Sequence, residues 1–173
     1  MPFEEKSTRD AAQWEAVEEA SELILEDRYP EAMLKLRDVI KAQPNNAYAY
    51  FWLGVAFFET KQLEAARDAY QAAVRVSPDY LGARVSLSHV LRQLGDLKGA
   101  LAQANEALRR FPKDGEAMHA AGLAYAAQGK RGAAQKHLQG FLDSRPELEA
   151  STEVRQILEM LGLGEEGDPV EFE

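Results

Sequence analysis

The chain predicts an all-α fold built as a stack of four two-helix repeats, and three observations carry that prediction. Pro44, Pro78, Pro112 and Pro146 stand 34 residues apart. Ala32, Ala66, Ala100 and Ala134 recur in the same register. Strand patterns are absent from a sequence dominated by alanine, leucine and charged residues, which suit helices. A fixed period of this length marks a repeat array in which each unit buries its apolar face on the next.

Counting from the prolines places the repeats at 13–46, 47–80, 81–114 and 115–148, with no insertion or deletion, after an N-terminal extension at 1–12. Ser7-x-x-Asp10 reads as a capping box in front of a first helix that runs over 10–26. Midway through each repeat the chain must reverse. Gly95 and Gly129 suit positive φ there, while Asp27 and Lys61 stand at the same place in the first two repeats. The aspartate tolerates the left-handed conformation, and the lysine takes it at a cost of roughly 1 kcal/mol. Each proline ends a helix, and the N-cap types Asn45-Asn46, Asp79 and Asp114 introduce the next. The recurrent alanine marks a close helix crossing. After Pro146 a capping segment, 149–163, carries Val154, Ile157, Leu158 and Leu161 on one stripe, as a helix sealing the last repeat would. Residues 164–173, with five acids, read as an acidic disordered tail whose Val170 and Phe172 are candidates to dock in the chain's own groove.

In this frame the residues resemble the tetratricopeptide repeat (TPR) family, whose pattern is an aromatic, Leu-Gly, Tyr, Ala, Phe and Pro within 34 residues. Repeat two reads Tyr50, Leu53-Gly54, Phe57, Ala66, Tyr70, Ala73 and Pro78, and repeat four Gly122, Tyr125, Ala134 and Pro146. Repeats one and three are looser, with Ala20 and Ser88 for the glycine and Leu23 and Leu91 for the tyrosine. The resemblance implies a right-handed α-solenoid and a concave groove lined by positions 2, 5, 9 and 12 of each first helix. These are Trp14, Val17, Ser21 and Ile24; Tyr48, Phe51, Val55 and Phe58; Gly82, Val85, His89 and Arg92; and Glu116, His119, Leu123 and Ala126.

Composition bounds the function. The net charge of -9 is concentrated at the two ends, leaving a mildly basic middle. Its one cationic cluster, Arg109-Arg110, Lys113, Lys130-Arg131 and Lys136, reads as solvated helix ends, so no nucleic-acid partner is expected. There is no cysteine, hence no disulfide framework, thiolate metal site or cysteine nucleophile. No Ser/His/Asp order, Gly-rich phosphate loop or metal-ligand helix motif is present, so no catalytic residue, cofactor or metal is expected. The start shows no basic n-region or apolar core segment, and no stretch is long enough to span a bilayer. The expected setting is the cytoplasm.

Two surface constellations remain. The helix at 47–58 is apolar all round, and with Tyr50, Leu53, Gly54 and Phe57 packing inward, Tyr48, Phe51, Trp52 and Phe58 should form an exposed patch that meets a partner. The alternatives are burial of that patch beneath the N-terminal helix, with Trp14 and Phe3, or a homodimer formed through it. His89, Arg92 and His119 are candidates for an acidic group on the same ligand, whose apolar anchors would fill the aromatic half; zinc held by the two histidines, His89 and His119, with Glu116 on the same helical face as His119 is the sharper alternative. The family's clamp for Asp/Glu-terminated peptides is not expected, because Gly82, Ser86 and Trp52 occupy its key positions. The functional expectation is therefore a protein-interaction module, an adaptor or chaperone-like scaffold binding an apolar peptide or helix. A structural subunit assembled through 47–58 and a secretion-chaperone-like protein are the alternatives.

Overall fold

A computed structural model describes the backbone of residues 2–162 and the side chains of residues 10–162, so Phe3 as a groove cover and the expected tail fall outside the described residues. Among them are nine helices: α1 (Pro2–Leu25), α2 (Tyr29–Ala42), α3 (Ala47–Glu59), α4 (Leu63–Val76), α5 (Leu81–Gln93), α6 (Leu97–Arg110), α7 (Gly115–Ala127), α8 (Arg131–Asp143) and α9 (Leu148–Met160). The first eight form four antiparallel pairs, and α9 follows alone.

Two turns, used alternately, produce this order. Within each repeat, Asp27, Lys61, Gly95 and Gly129 all take positive φ, at 59°, 61°, 84° and 73°. The next amide then reaches back to close the preceding helix: Arg28 donates to Leu23 O, Gln62 to Phe57 O, Asp96 to Leu91 O and Lys130 to Tyr125 O, at 2.8–3.0 Å. Between repeats, Gln43 O accepts from Asn46 N, Ser77 O from Tyr80 N and Phe111 O from Asp114 N at 3.0–3.1 Å. The prolines sit second in these β-turns, where their fixed φ fits. The fourth junction departs from this pattern. There α8 ends at Asp143, and Arg145 takes φ 59° before Pro146.

The caps follow the expectation in part. Asn46 accepts from Ala49 N at 3.1 Å and Asp114 from Ala117 N at 2.8 Å. Asp79 does not cap: Tyr80 holds the N-cap position of α5 without a side-chain bond, and Asp79 pairs with Arg110 on α6 instead. Asp96 provides a cap that the repeat frame does not suggest, accepting from Gly99 N at 2.9 Å. The Ser7–Asp10 capping box is also corrected, because α1 begins ahead of Ser7 and carries both residues inside it.

Within each pair the crossing is close because one residue yields to another. The residue at position 8 faces position 24 on the second helix, and their sizes trade: Ala20 with Leu36, Gly54 with Tyr70, Ser88 with Ala104 and Gly122 with Leu138. A Cβ on Gly54 would stand 2.7 Å from the Tyr70 ring, and one on Gly122 would stand 2.6 Å from Leu138 Cδ2. In the third repeat, where Ala104 leaves room, Ser88 Oγ donates to Ala100 O at 2.8 Å. Ala32, Ala66, Ala100 and Ala134 are fully buried at the same crossings.

Between repeats, side-chain size sets the spacing. On α7, Ala117, Ala120 and Ala121 let α5 approach closely and bury Val85 among them. On α3, Phe51, Val55 and Phe58 keep α5 further away. The stack therefore opens between α3 and α5. At its C-terminal end, α9 buries Val154 against Leu138 and Phe141. Its Arg155, Gln156 and Glu159, the counterparts of Leu53, Gly54 and Phe57, all face water.

Candidate functional site

The opening between α3 and α5 is a cleft of about 390 Å³. Val55, Phe58 and Glu59 of α3 form one wall, and Ser86, His89, Val90, Arg92 and Gln93 of α5 the other. Tyr70 of α4, His119 and Leu123 of α7 and Glu153 of α9 complete it. Of the residues expected at a groove, Val55, Phe58, His89, Arg92, His119 and Leu123 come together here. Glu59, Tyr70, Ser86, Val90, Gln93 and Glu153 were not anticipated. Tyr70 stands in the sequence as a residue of the family pattern, and Glu153 lies beyond the four repeats.

The polar side of the cleft is poorly served by the protein itself. His119 stacks on Phe141 of α8, with ring centroids 4.6 Å apart and planes at 19°, which fixes its ring. His89 lies 5.7 Å from it, centroid to centroid. Burial, then His119, then Arg92 push His89 down to about 4. Burial also lowers His119, against the opposing influence of Glu116 and Glu153. Both rings are therefore neutral at pH 7, and Arg92 is the cation of the cleft. Arg92 Nε and His119 Nε2 are buried and have no hydrogen-bond partner. Glu59 and Glu153 are solvent-exposed at its margin.

The remaining expected groove residues are elsewhere, for reasons of size. Val17 has 0% exposure and lies in the core with Ile24; it does not face a ligand, because Tyr48, Trp52 and Val55 pack over that face of α1. Val85, at 8%, is closed in by the alanines of α7. Tyr48, Phe51 and Trp52 do not form an open patch. They are half-buried links in an aromatic chain that runs from Trp14, 5.6 Å from Tyr48, through Tyr48 to Tyr80 at 5.4 Å, and from Tyr80 to Phe51 at 5.0 Å. Trp52 joins it at 5.5 Å from Phe51 and 6.4 Å from Trp14. Thus α1 covers the patch in part, with Trp14 still 43% exposed. Tyr80 was missed, although an aromatic at the place where Asn46 and Asp114 stand is a visible departure in the sequence.

Other candidates are weaker. A larger depression of about 750 Å³ lies by the inter-repeat turns, lined by Asp10, Gln13, Tyr48, Arg75, Asp79 and Tyr80 among others, and no unpartnered buried polar atom faces it. In the cationic cluster, Arg109 and Arg110 are held by Glu106, and Arg110 also by Asp79. His137 is half-buried 5.1 Å from Tyr125, with Nδ1 2.8 Å from Ala133 O. Among the described residues no group of three His, Cys, Asp or Glu could hold a metal, and Glu116 is solvent-exposed. No described helix is long and apolar enough to cross a membrane.

Comparison with known proteins gives one family. A family model described as tetratricopeptide repeat matches residues 17–81 and 85–144. Human Superkiller complex protein 3 is 33% identical over 75 residues, 43% of this chain but 5% of that protein's length. Among solved structures, PilW, described as a widely conserved type IV pilus biogenesis factor, superposes with a TM-score of 0.77 at 21% identity, covering 88% of this chain and 71% of its own. YrrB, described as a TPR protein with an unusual peptide-binding site, superposes with a TM-score of 0.69 at 23% identity, covering 87% and 76%. At these identities the structural likeness is one of fold.

Proposed function

The chain belongs to the tetratricopeptide repeat family, and from that premise we propose that it is a non-catalytic interaction module, an adaptor or chaperone-like scaffold that takes up an apolar segment of a partner protein between α3, α5 and α7. The observation that carries this reading is the cleft itself. Val55, Phe58 and Leu123 line a space of about 390 Å³ that no described side chain fills. Its size suits two or three side chains of a peptide or of one helix face, docking as an amphipathic segment does in a groove. The PilW and YrrB descriptions support the same class of role by fold analogy.

The test is selection from a random peptide library on the full chain and on Phe58→Asp, with Leu25→Asp as a surface control because Leu25 is 79% exposed outside the cleft. Peptides with two apolar anchors should be enriched on the wild type and the control and lost on Phe58→Asp. Equal enrichment on all three would remove the cleft as the binding site. The reading in which residues 47–58 form a permanent subunit contact has less surface to draw on, since Tyr48, Phe51 and Trp52 are already engaged with Trp14 and Tyr80.

A further inference from the structure

Among the described residues, three buried side-chain polar atoms lack a hydrogen-bond partner: Trp52 Nε1, Arg92 Nε and His119 Nε2. Two of them line the same cleft. The other arginines withdrawn from water are satisfied. Arg84, at 8% exposure, donates from Nε to Pro78 O at 2.9 Å and from Nη1 to Gln103 Oε1 at 2.9 Å, and Arg110 is held by Glu106 and Asp79. No carboxylate of the described residues lies within 4.0 Å of Arg92. A buried donor without an acceptor is unfavourable, and a guanidinium meets a carboxylate through paired N–H bonds that a single carbonyl cannot fully use.

From this geometry we propose that the cleft is a socket for one carboxylate of an otherwise uncharged, apolar segment of a partner protein, with Arg92 and His119 as its ligands and Val55, Phe58 and Leu123 receiving the neighbouring side chains. It rests on the reading that the cleft takes up a partner segment. The limit to one carboxylate comes from Glu59 and Glu153, which stand in water at the margin and repel a second negative charge on the bound segment. Glu153 is brought there by α9, so the last helix contributes to selectivity as well as closing the core.

The carboxylate can be an acidic side chain or a C-terminus, and blocked peptides separate the two. Three probes share their apolar residues: Ac-Leu-Phe-Gln-NH2, Ac-Leu-Phe-Glu-NH2 and Ac-Leu-Phe-Gln-OH. Binding to the full chain is followed by calorimetry and by the His119 imidazole resonance. At least one acidic probe should bind about tenfold or more tightly than the neutral one, as expected for a charge-assisted bond, and should move the His119 signal. The tighter of the two identifies the source. Arg92→Gln should erase the difference between the acidic and the neutral probes. A pair lengthened by one residue, Ac-Glu-Leu-Phe-Glu-NH2 and Ac-Gln-Leu-Phe-Glu-NH2, keeps both apolar anchors, and its doubly acidic member should bind more weakly. Equal affinity for all probes on the wild-type chain, or no His119 response to either acidic probe, overturns the socket without relying on any variant. The library selection judges the apolar reading separately, so the two can fail independently.

Discussion

Gly54→Ala tests the packing that holds each repeat together. The added methyl would meet the Tyr70 ring at 2.7, 2.7 and 3.0 Å, well inside van der Waals contact. The ring cannot move aside easily, because Tyr70 is 3% exposed and packs against Phe51 at 5.8 Å. Overpacking of this kind costs about 1–3 kcal/mol. For a chain of this length about 2 kcal/mol lowers Tm by about 4–8 °C. Tyr70→Ala alone should cost about 3–5 kcal/mol through the cavity it leaves. In the double variant the two costs should not add, since the shortened residue 70 leaves space for the methyl, as Ala104 does for Ser88. The expected coupling is about 1–2 kcal/mol. Gly132→Ala is the control, with open space around its Cβ, and should be neutral or slightly stabilising. Circular dichroism melts and urea titrations of the four variants give the cycle. An unchanged Tm for Gly54→Ala, or strictly additive costs, would refute the exchange of size between positions 8 and 24.

Other outcomes follow from the turns and the cleft. Gly95→Ala should cost about 1 kcal/mol although nothing lies within 4 Å of the new Cβ, because φ is 84° there; Arg145→Gly at φ 59° should gain several tenths of a kcal/mol, and chemical denaturation compares the two. His89 should make stability pH-dependent. It binds a proton at about 4 when folded and near 6.5 when unfolded, so the unfolded chain binds more protons between these values. Stability is therefore full above pH 6.5 and falls as pH drops towards 4, by up to about 3 kcal/mol. The groups around it are His119, Arg92, Glu59 and Glu153, and His89→Gln should flatten the profile in that window in urea titrations at pH 7.5 and pH 5.

The backbone was legible almost throughout because its rules are local. Asp27 and Lys61 take the left-handed turn that Gly95 and Gly129 mark, and the prolines sit in nearly identical turns. Arg145 escaped notice because its turn results from α8 ending early, which no neighbouring residue announces. The site was legible only where one helix decides it. Positions 5, 9 and 12 identify Phe58, His89, Arg92, His119 and Leu123 in the frame or next to it, since a helix sets which residues share a face. Access depends on the neighbouring helix. Val17 is closed off by bulky α3 side chains and Val85 by the approach of an alanine-rich α7, and neither follows from the helix that bears it. Glu153 stands 34 residues after His119, at position 5 of the frame continued past Pro146, so its place in the cleft follows from the repeat once α9 is counted as a further first helix.

On α9, Arg155, Gln156 and Glu159 occupy the places where the other first helices pack against the second helix of their own repeat. Charge and amide there make the end of the stack a poor template for a second molecule. Replacing the three with leucine, glycine and phenylalanine would present an unpaired apolar surface, complementary to a second helix but not to itself. Three polar side chains thus leave the last helix without a surface on which a neighbouring molecule could pack.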